Sequence, residues 1–157
     1  MATLELLSDY EIERGKPMPS KNHSYIQSNL IIALAGYRKK FDFLSEISLE
    51  LNEWQSTPDI GIFPKLNIDF RHDEIRMTEP PLCAIEIISP SQSIQELADK
   101  AQQYLDAGVQ SVWLVLPPIQ TVVVYQKDGS YESFSKASFT DPSLDITLDL
   151  NSVFMTS

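Results

Sequence analysis

Several scarcities narrow the reading of this chain before any motif is considered. A single cysteine, Cys83, in 157 residues has no partner for a disulfide within one protomer, so a cross-linked scaffold is excluded and a buried small hydrophobe is the plain reading. Five glycines, none in a Walker or dinucleotide-binding pattern, leave out the nucleotide-cradling loops of those classes. The two histidines, His23 and His72, have no second ligand at zinc spacing. No apolar stretch approaches the ~18 residues that span a bilayer, and Met1-Ala2-Thr3-Leu4-Glu5 lacks the basic start of a secretory signal. A cytoplasmic location with no membrane partner is therefore expected. Basic residues are also few: 12 Lys and Arg stand against 22 Asp and Glu, a net charge of −10. That balance disfavours a general affinity for nucleic acid or anionic membrane, while leaving room for a locally basic groove.

What is present fits one folded domain over residues 1–157, since a hydrophobic content of 43% with 10% aromatics suffices for a substantial core. The centre of interest is Leu82-Cys83-Ala84-Ile85-Glu86-Ile87-Ile88, bounded by Pro80-Pro81 and Ser89-Pro90-Ser91. Such a run reads as a strand covered on both faces, and Glu86 interrupts it. Buried carboxylates are costly unless paired, hydrogen-bonded or bound to metal, so Glu86 is a site candidate. Its bland alternative is a structural acid paired with Arg14 or a backbone donor.

Around this strand the pattern predicts an edge strand at Tyr10-Glu11-Ile12-Glu13 and a helix from near Ser24, with Ser24 and Gln27 at capping-box spacing and Ile26, Leu30, Ala33, Leu34 and Tyr37 on one face. Alternation from Phe43 to Leu51 suggests one strand, and a second follows Pro58-Asp59. The charged stretch from Lys65 to Pro81 reads as a long surface loop or lid. Ser93 and Glu96 form another capping box ahead of the stripe Ile94, Leu97, Ala101, Tyr104 and Leu105, which Gly108 ends. Strands at Ser111–Leu116 and Thr121–Tyr125, a turn at Asp128-Gly129, and a last alternating segment from Leu144 to Leu150 complete the chain. The sum is an α/β (α+β) domain, a mixed sheet flanked by helices. If the chain forms a homodimer, Thr121–Tyr125 offers an interface, though core packing is its ordinary reading.

Asp59, Glu86 and Lys100 converge in type. Two hard carboxylates suit magnesium or manganese, and a lysine beside them can orient an attacking water or neutralise charge in phosphoryl transfer. Lys100 has its own bland reading, an i,i+4 partner of Glu96. Ser89 and Ser91 lack the surroundings of a nucleophile and read as a turn. Trp113 reads as core, whereas Trp54 could stack a base.

Pro58-Asp59, then Ala84-Ile85-Glu86-Ile87-Ile88-Ser89-Pro90-Ser91, then Lys100, Tyr104, Gly108 and Trp113-Leu114-Val115 resemble the Uma family of the restriction-endonuclease-like, PD-(D/E)-x-K superfamily. Tyr10-Glu11-Ile12, Gly15 and His23 extend the resemblance over nearly the whole chain. It implies a restriction-endonuclease-like central mixed sheet and metal-dependent hydrolysis of nucleic acid, DNA favoured. Asp59 and Glu86 would bind magnesium or manganese, Lys100 would assist water attack, and Glu11 and His23 are accessory candidates. One departure stands out. The motif's lysine belongs two residues beyond the acid, where this chain has Ile88, so Lys100 must substitute from the next helix. A second reading follows from that departure and from the low basic content: a catalytically inactive nuclease-fold module for protein interaction or homo-oligomer assembly.

Overall fold

The computed structural model describes residues 16–155. A six-stranded mixed sheet forms its centre, with the order β1 (Phe41–Ser45), β4 (Ile60–Pro64), β6 (Cys83–Ile87), β7 (Ser111–Leu116), β8 (Thr121–Gln126) and β9 (Tyr131–Phe134). Within this sheet β6 and β7 are the one parallel pair. Parallel neighbours need a crossover, and helix α2 (Ile94–Asp106) supplies it.

Both faces of the sheet are covered, which explains why β6 and β7 are buried at every residue and read as continuous apolar runs. One face packs Ile60, Ile62, Ile85, Ile87, Trp113 and Val115 beneath α1 (Lys21–Leu34), the hairpin β10 (Ser138–Asp141)–β11 (Ile146–Asp149) and the short helix α3 (Leu150–Phe154). The other packs Phe63, Ala84, Val112 and Leu114 against α2, with Leu49 and Leu51 from β2 (Ser48–Leu51). There β2 pairs with β3 (Trp54–Ser56) and β5 (Arg76–Met77) in a small second sheet. No helix among the described residues is long and apolar enough to cross a membrane.

Several expected boundaries move. Helix α1 begins at Lys21, because Ser20 rather than Ser24 is the cap: its hydroxyl accepts from the His23 backbone N–H. The expected strand from Phe43 to Leu51 is two strands in two sheets, broken where Glu46 takes a positive φ of 55°. The expected surface loop is exposed over most of its length, but Arg76–Met77 pairs with β2 in parallel. In α2 the buried stripe is Leu97, Ala101, Tyr104 and Leu105, while Ile94, at the first turn, is exposed. Gly108 follows this helix at φ 104°, a conformation that glycine adopts without steric penalty. Strand β8 lies between β7 and β9, so it is core and offers no free edge to a second copy. The predicted strand at Tyr10–Glu13 lies outside the described residues.

A further buried acid, not singled out in the sequence, fastens the β10–β11 hairpin to the sheet. Asp141 is fully buried and accepts from Ser111 Oγ at 2.6 Å, Trp113 Nε1 at 2.9 Å and Gln126 Nε2 at 3.3 Å, with Ser143 donating from both its backbone N–H (3.0 Å) and its hydroxyl (2.7 Å). Asp141→Ala strands these donors in the core, and chemical denaturation is expected to register a loss of about 3 kcal/mol, as for other broken buried networks. A change below about 0.5 kcal/mol, the range of ordinary surface substitutions, contradicts this assignment.

Candidate active site

Extending the β4–β6 register by one step sets Asp59 opposite Glu86, on the face that α2 covers. Asp59 is fixed at its backbone from three directions: its N–H donates to the Ile85 carbonyl (3.1 Å), and its own carbonyl accepts from the Glu46 N–H (3.0 Å) and from Gln27 Nε2 (3.0 Å). The positive φ at Glu46 thus turns the chain where it also holds Asp59. Both acids are 1% exposed.

Their side chains are met by groups from β6, α1, α2 and the irregular chain ahead of α1. Asp59 Oδ2 accepts from the Ile87 backbone N–H at 2.7 Å. Asp59 Oδ1 accepts from Lys16 Nζ at 2.8 Å and lies 3.1 Å from His23 Nε2. Glu86 Oε1 accepts a hydrogen bond from the Tyr104 hydroxyl at 2.7 Å and meets Lys100 Nζ at 3.0 Å. Because the Tyr104 proton is committed to Glu86, Ser56 Oγ, 2.7 Å away, donates to the phenol oxygen. Glu86 Oε2 faces Lys16 Nζ at 2.9 Å, a charge contact whose direction does not satisfy a hydrogen bond, so among the described residues this oxygen has no proper donor. His23 Nδ1 is likewise buried without a partner among them.

The electrostatics follow from burial and neighbours. Burial alone pushes Asp59 upward, but the His23 hydrogen bond and the Lys16 charge outweigh it and hold the carboxyl well below its ordinary 3.8. Burial pulls Lys16 downward, and the charges of Glu86 and Asp59 reverse this, leaving the ammonium above its ordinary 10.5. Burial, then the Glu86 charge, pushes the Tyr104 phenol well above 10, so it stays a donor. At an effective dielectric of about 20, a charge pair at this spacing gains about 6 kcal/mol, which desolvation largely offsets. Among the described residues, the ammonium groups of Lys16 and Lys100 face the two carboxylates.

Of the sequence candidates, Asp59, Glu86, Lys100 and His23 come together, and Glu11 lies outside the described residues, as does Arg14. Lys100 pairs with Glu86, and it is 20% exposed at the edge of a cleft lined by Trp54, Ser56, Thr57, Gln92 and Glu96. Trp54 sits edge-on to Tyr104 at 4.9 Å in that cleft. Sequence reasoning missed Lys16, which no periodicity marks, and gave Tyr104, a residue of the helical stripe and of the family pattern, no role at the site. Glu86 in a doubly covered strand, read together with Asp59, was the signal that a buried cation had to be sought.

Could these residues hold a divalent ion? Among the described residues no group of three or more His, Cys, Asp or Glu side chains is arranged around a metal position. Yet Asp59 Oδ1 and Glu86 Oε2 converge on one point, marked by the Lys16 ammonium, and Glu86 Oε2 has no proper donor among the described residues. Two carboxylates with the rest of the shell left to water and phosphate is a common magnesium arrangement, so the donor set fits such an ion if Lys16 withdraws.

A mixed sheet with helices on both faces, carrying paired carboxylates and a lysine where β4 begins and β6 ends, defines a restriction-endonuclease-like protein. The Uma2 family, described as putative restriction endonuclease, matches residues 2–150, and the chain belongs to this family. It is similar to the crystal structure of a putative nuclease of the DUF820 group from Anabaena variabilis, with 27% identity, a TM-score of 0.78, and coverage of 88% of this chain and 83% of the other. No curated protein matches it.

The sign of the Asp59 shift gives a test. A carboxyl depressed on folding contributes stability above its unfolded value, and that contribution is lost as pH falls through the folded value. Wild-type unfolding free energy is therefore expected to drop as pH falls from about 4 toward 2, whereas Asp59→Asn starts lower and follows a flatter slope. Parallel slopes in urea titrations of the two proteins contradict the assigned shift.

Proposed function

We propose that the protein is a magnesium- or manganese-dependent phosphodiesterase that cleaves nucleic acid, with DNA the favoured substrate. The observation that carries this reading is the convergence of Asp59 Oδ1 and Glu86 Oε2 on a single point within 2.9 Å. The family description and the named relative supply the nuclease class.

In this reading Asp59 and Glu86 hold the metal, and a bound ion would polarise the scissile phosphate and lower the pKa of its water. The chain's own groups set the geometry. The Ile87 N–H and His23 fix the Asp59 carboxylate, and Tyr104, steadied by Ser56, fixes Glu86. Lys100 takes the place that the strand lysine would have had at Ile88. Its ammonium arrives from α2 beside Glu86 Oε1 and is partly open to the cleft, where it can meet a phosphate oxygen or the attacking water. The cleft wall adds Trp54 and side-chain hydroxyls and amides, groups that suit bases and sugars.

A second reading rests on a specific observation as well. With Ile88 at the motif position and Lys16 filling the point between the acids, the fold also suits a non-cleaving interaction module. Incubation with manganese and a panel of plasmid DNA, single-stranded DNA and RNA decides between them. Cleavage by wild type is expected to fall by about a thousandfold or more in Asp59→Ala and Glu86→Ala, and by about a hundredfold in Lys100→Ala, as for other groups acting on transition-state charge. Equal background rates in wild type and all three variants favour the module.

A further inference from the structure

We propose that Lys16 is the resident occupant of the metal position and that divalent cation binding proceeds by exchange, the ion entering as the Lys16 ammonium leaves. The inference rests on the metal-binding reading of Asp59 and Glu86 and adds to it the residue that governs occupancy.

Three observations carry it. The Lys16 ammonium contacts one oxygen of each acid, at 2.8 and 2.9 Å, so it stands where a shared cation would bridge them. Its side chain is 5% exposed, so there is no room for both occupants while it remains. The charge balance points the same way. Lys16 and Lys100 are already paired to Asp59 and Glu86, so a divalent ion that enters without releasing anything adds two positive charges to the buried cluster. Exchange adds one. That single added charge is what one phosphodiester anion balances, so exchange raises the local attraction for phosphate in a chain with a net charge of −10.

The backbone permits the exchange. Lys16 lies on irregular chain ahead of the Ser20 cap, next to Pro17 and Pro19, and belongs to neither a helix nor a sheet ladder. Lys100, by contrast, is held on α2, pairs with Glu86 Oε1 over the Tyr104 ring, and can stay. The other buried oxygen of Asp59 keeps its Ile87 N–H donor in either state.

Amine labelling of wild type by an acetylating reagent, read by mass spectrometry with and without saturating manganese, tests the exchange directly. Lys16 is expected to be protected in the absence of manganese and labelled in its presence, while Lys65, exposed beside Asp42, labels equally in both and serves as the control. Calorimetry on Lys16→Met is expected to show manganese binding at least about tenfold tighter than in wild type, because no internal cation competes. If Lys16→Met does not fold, the labelling of wild type decides alone. Manganese binding of equal affinity in both proteins, with Lys16 still protected, overturns the exchange and leaves the metal site standing. Absence of manganese binding in wild type and in Lys16→Met removes the metal site and the exchange together.

Discussion

The arrangement of this protein turns on two carboxylates placed side by side inside it. Asp59 and Glu86 face each other across neighbouring strands at 1% exposure, a placement that cannot persist as two anions without a cation between them. The Lys16 ammonium meets that demand, and the elements around it are disposed to serve the same pair. Helix α1 enters with His23 beside Asp59, the end of β1 holds the Asp59 carbonyl, and α2 crosses from β6 to β7 so that Tyr104 and Lys100 face Glu86. Fold and site are joined here because the β6–α2–β7 crossover that the parallel pair requires is also what delivers the two donors.

A comparison within the same molecule shows why this cluster is suited to exchange a ligand. Asp141 is also a fully buried acid, but neutral donors surround it: hydroxyls of Ser111 and Ser143, the Trp113 indole, the Gln126 amide and a backbone N–H. Those groups have no mobile charge to give up, and they belong to the sheet and its hairpin. The site between Asp59 and Glu86 instead relies on ammonium groups at the ends of long side chains. One solution fastens a hairpin; the other can trade one cation for another. Burial of an acid alone therefore does not mark a site, and the chemistry of its partners does.

Much of the fold was legible because it is local. The apolar run at 82–88 and the stripe Leu97, Ala101, Tyr104 and Leu105 announce a doubly covered strand and the helix that covers it, and both are found. Glu86 was legible for the same reason, as an acid out of place. What escaped depends on contacts far apart in sequence. Lys16 reaches Asp59 across 43 residues and carries no local pattern, and Asp141 gathers donors from strands well before it. The break at Glu46 was hidden because alternation continues through it, although the two halves join different sheets. The cap at Ser20 was overlooked because Ser24 offered a second hydroxyl ahead of the same apolar stripe.

The central claim is that one position between Asp59 and Glu86 serves either the Lys16 ammonium or a divalent ion. A manganese-soaked crystal, examined by anomalous diffraction, tests it most directly. The account predicts an anomalous peak between Asp59 Oδ1 and Glu86 Oε2, with the Lys16 side chain withdrawn from both. A map in which Lys16 still bridges the two carboxylates and manganese is absent from the site, at a concentration that saturates binding in solution, contradicts it.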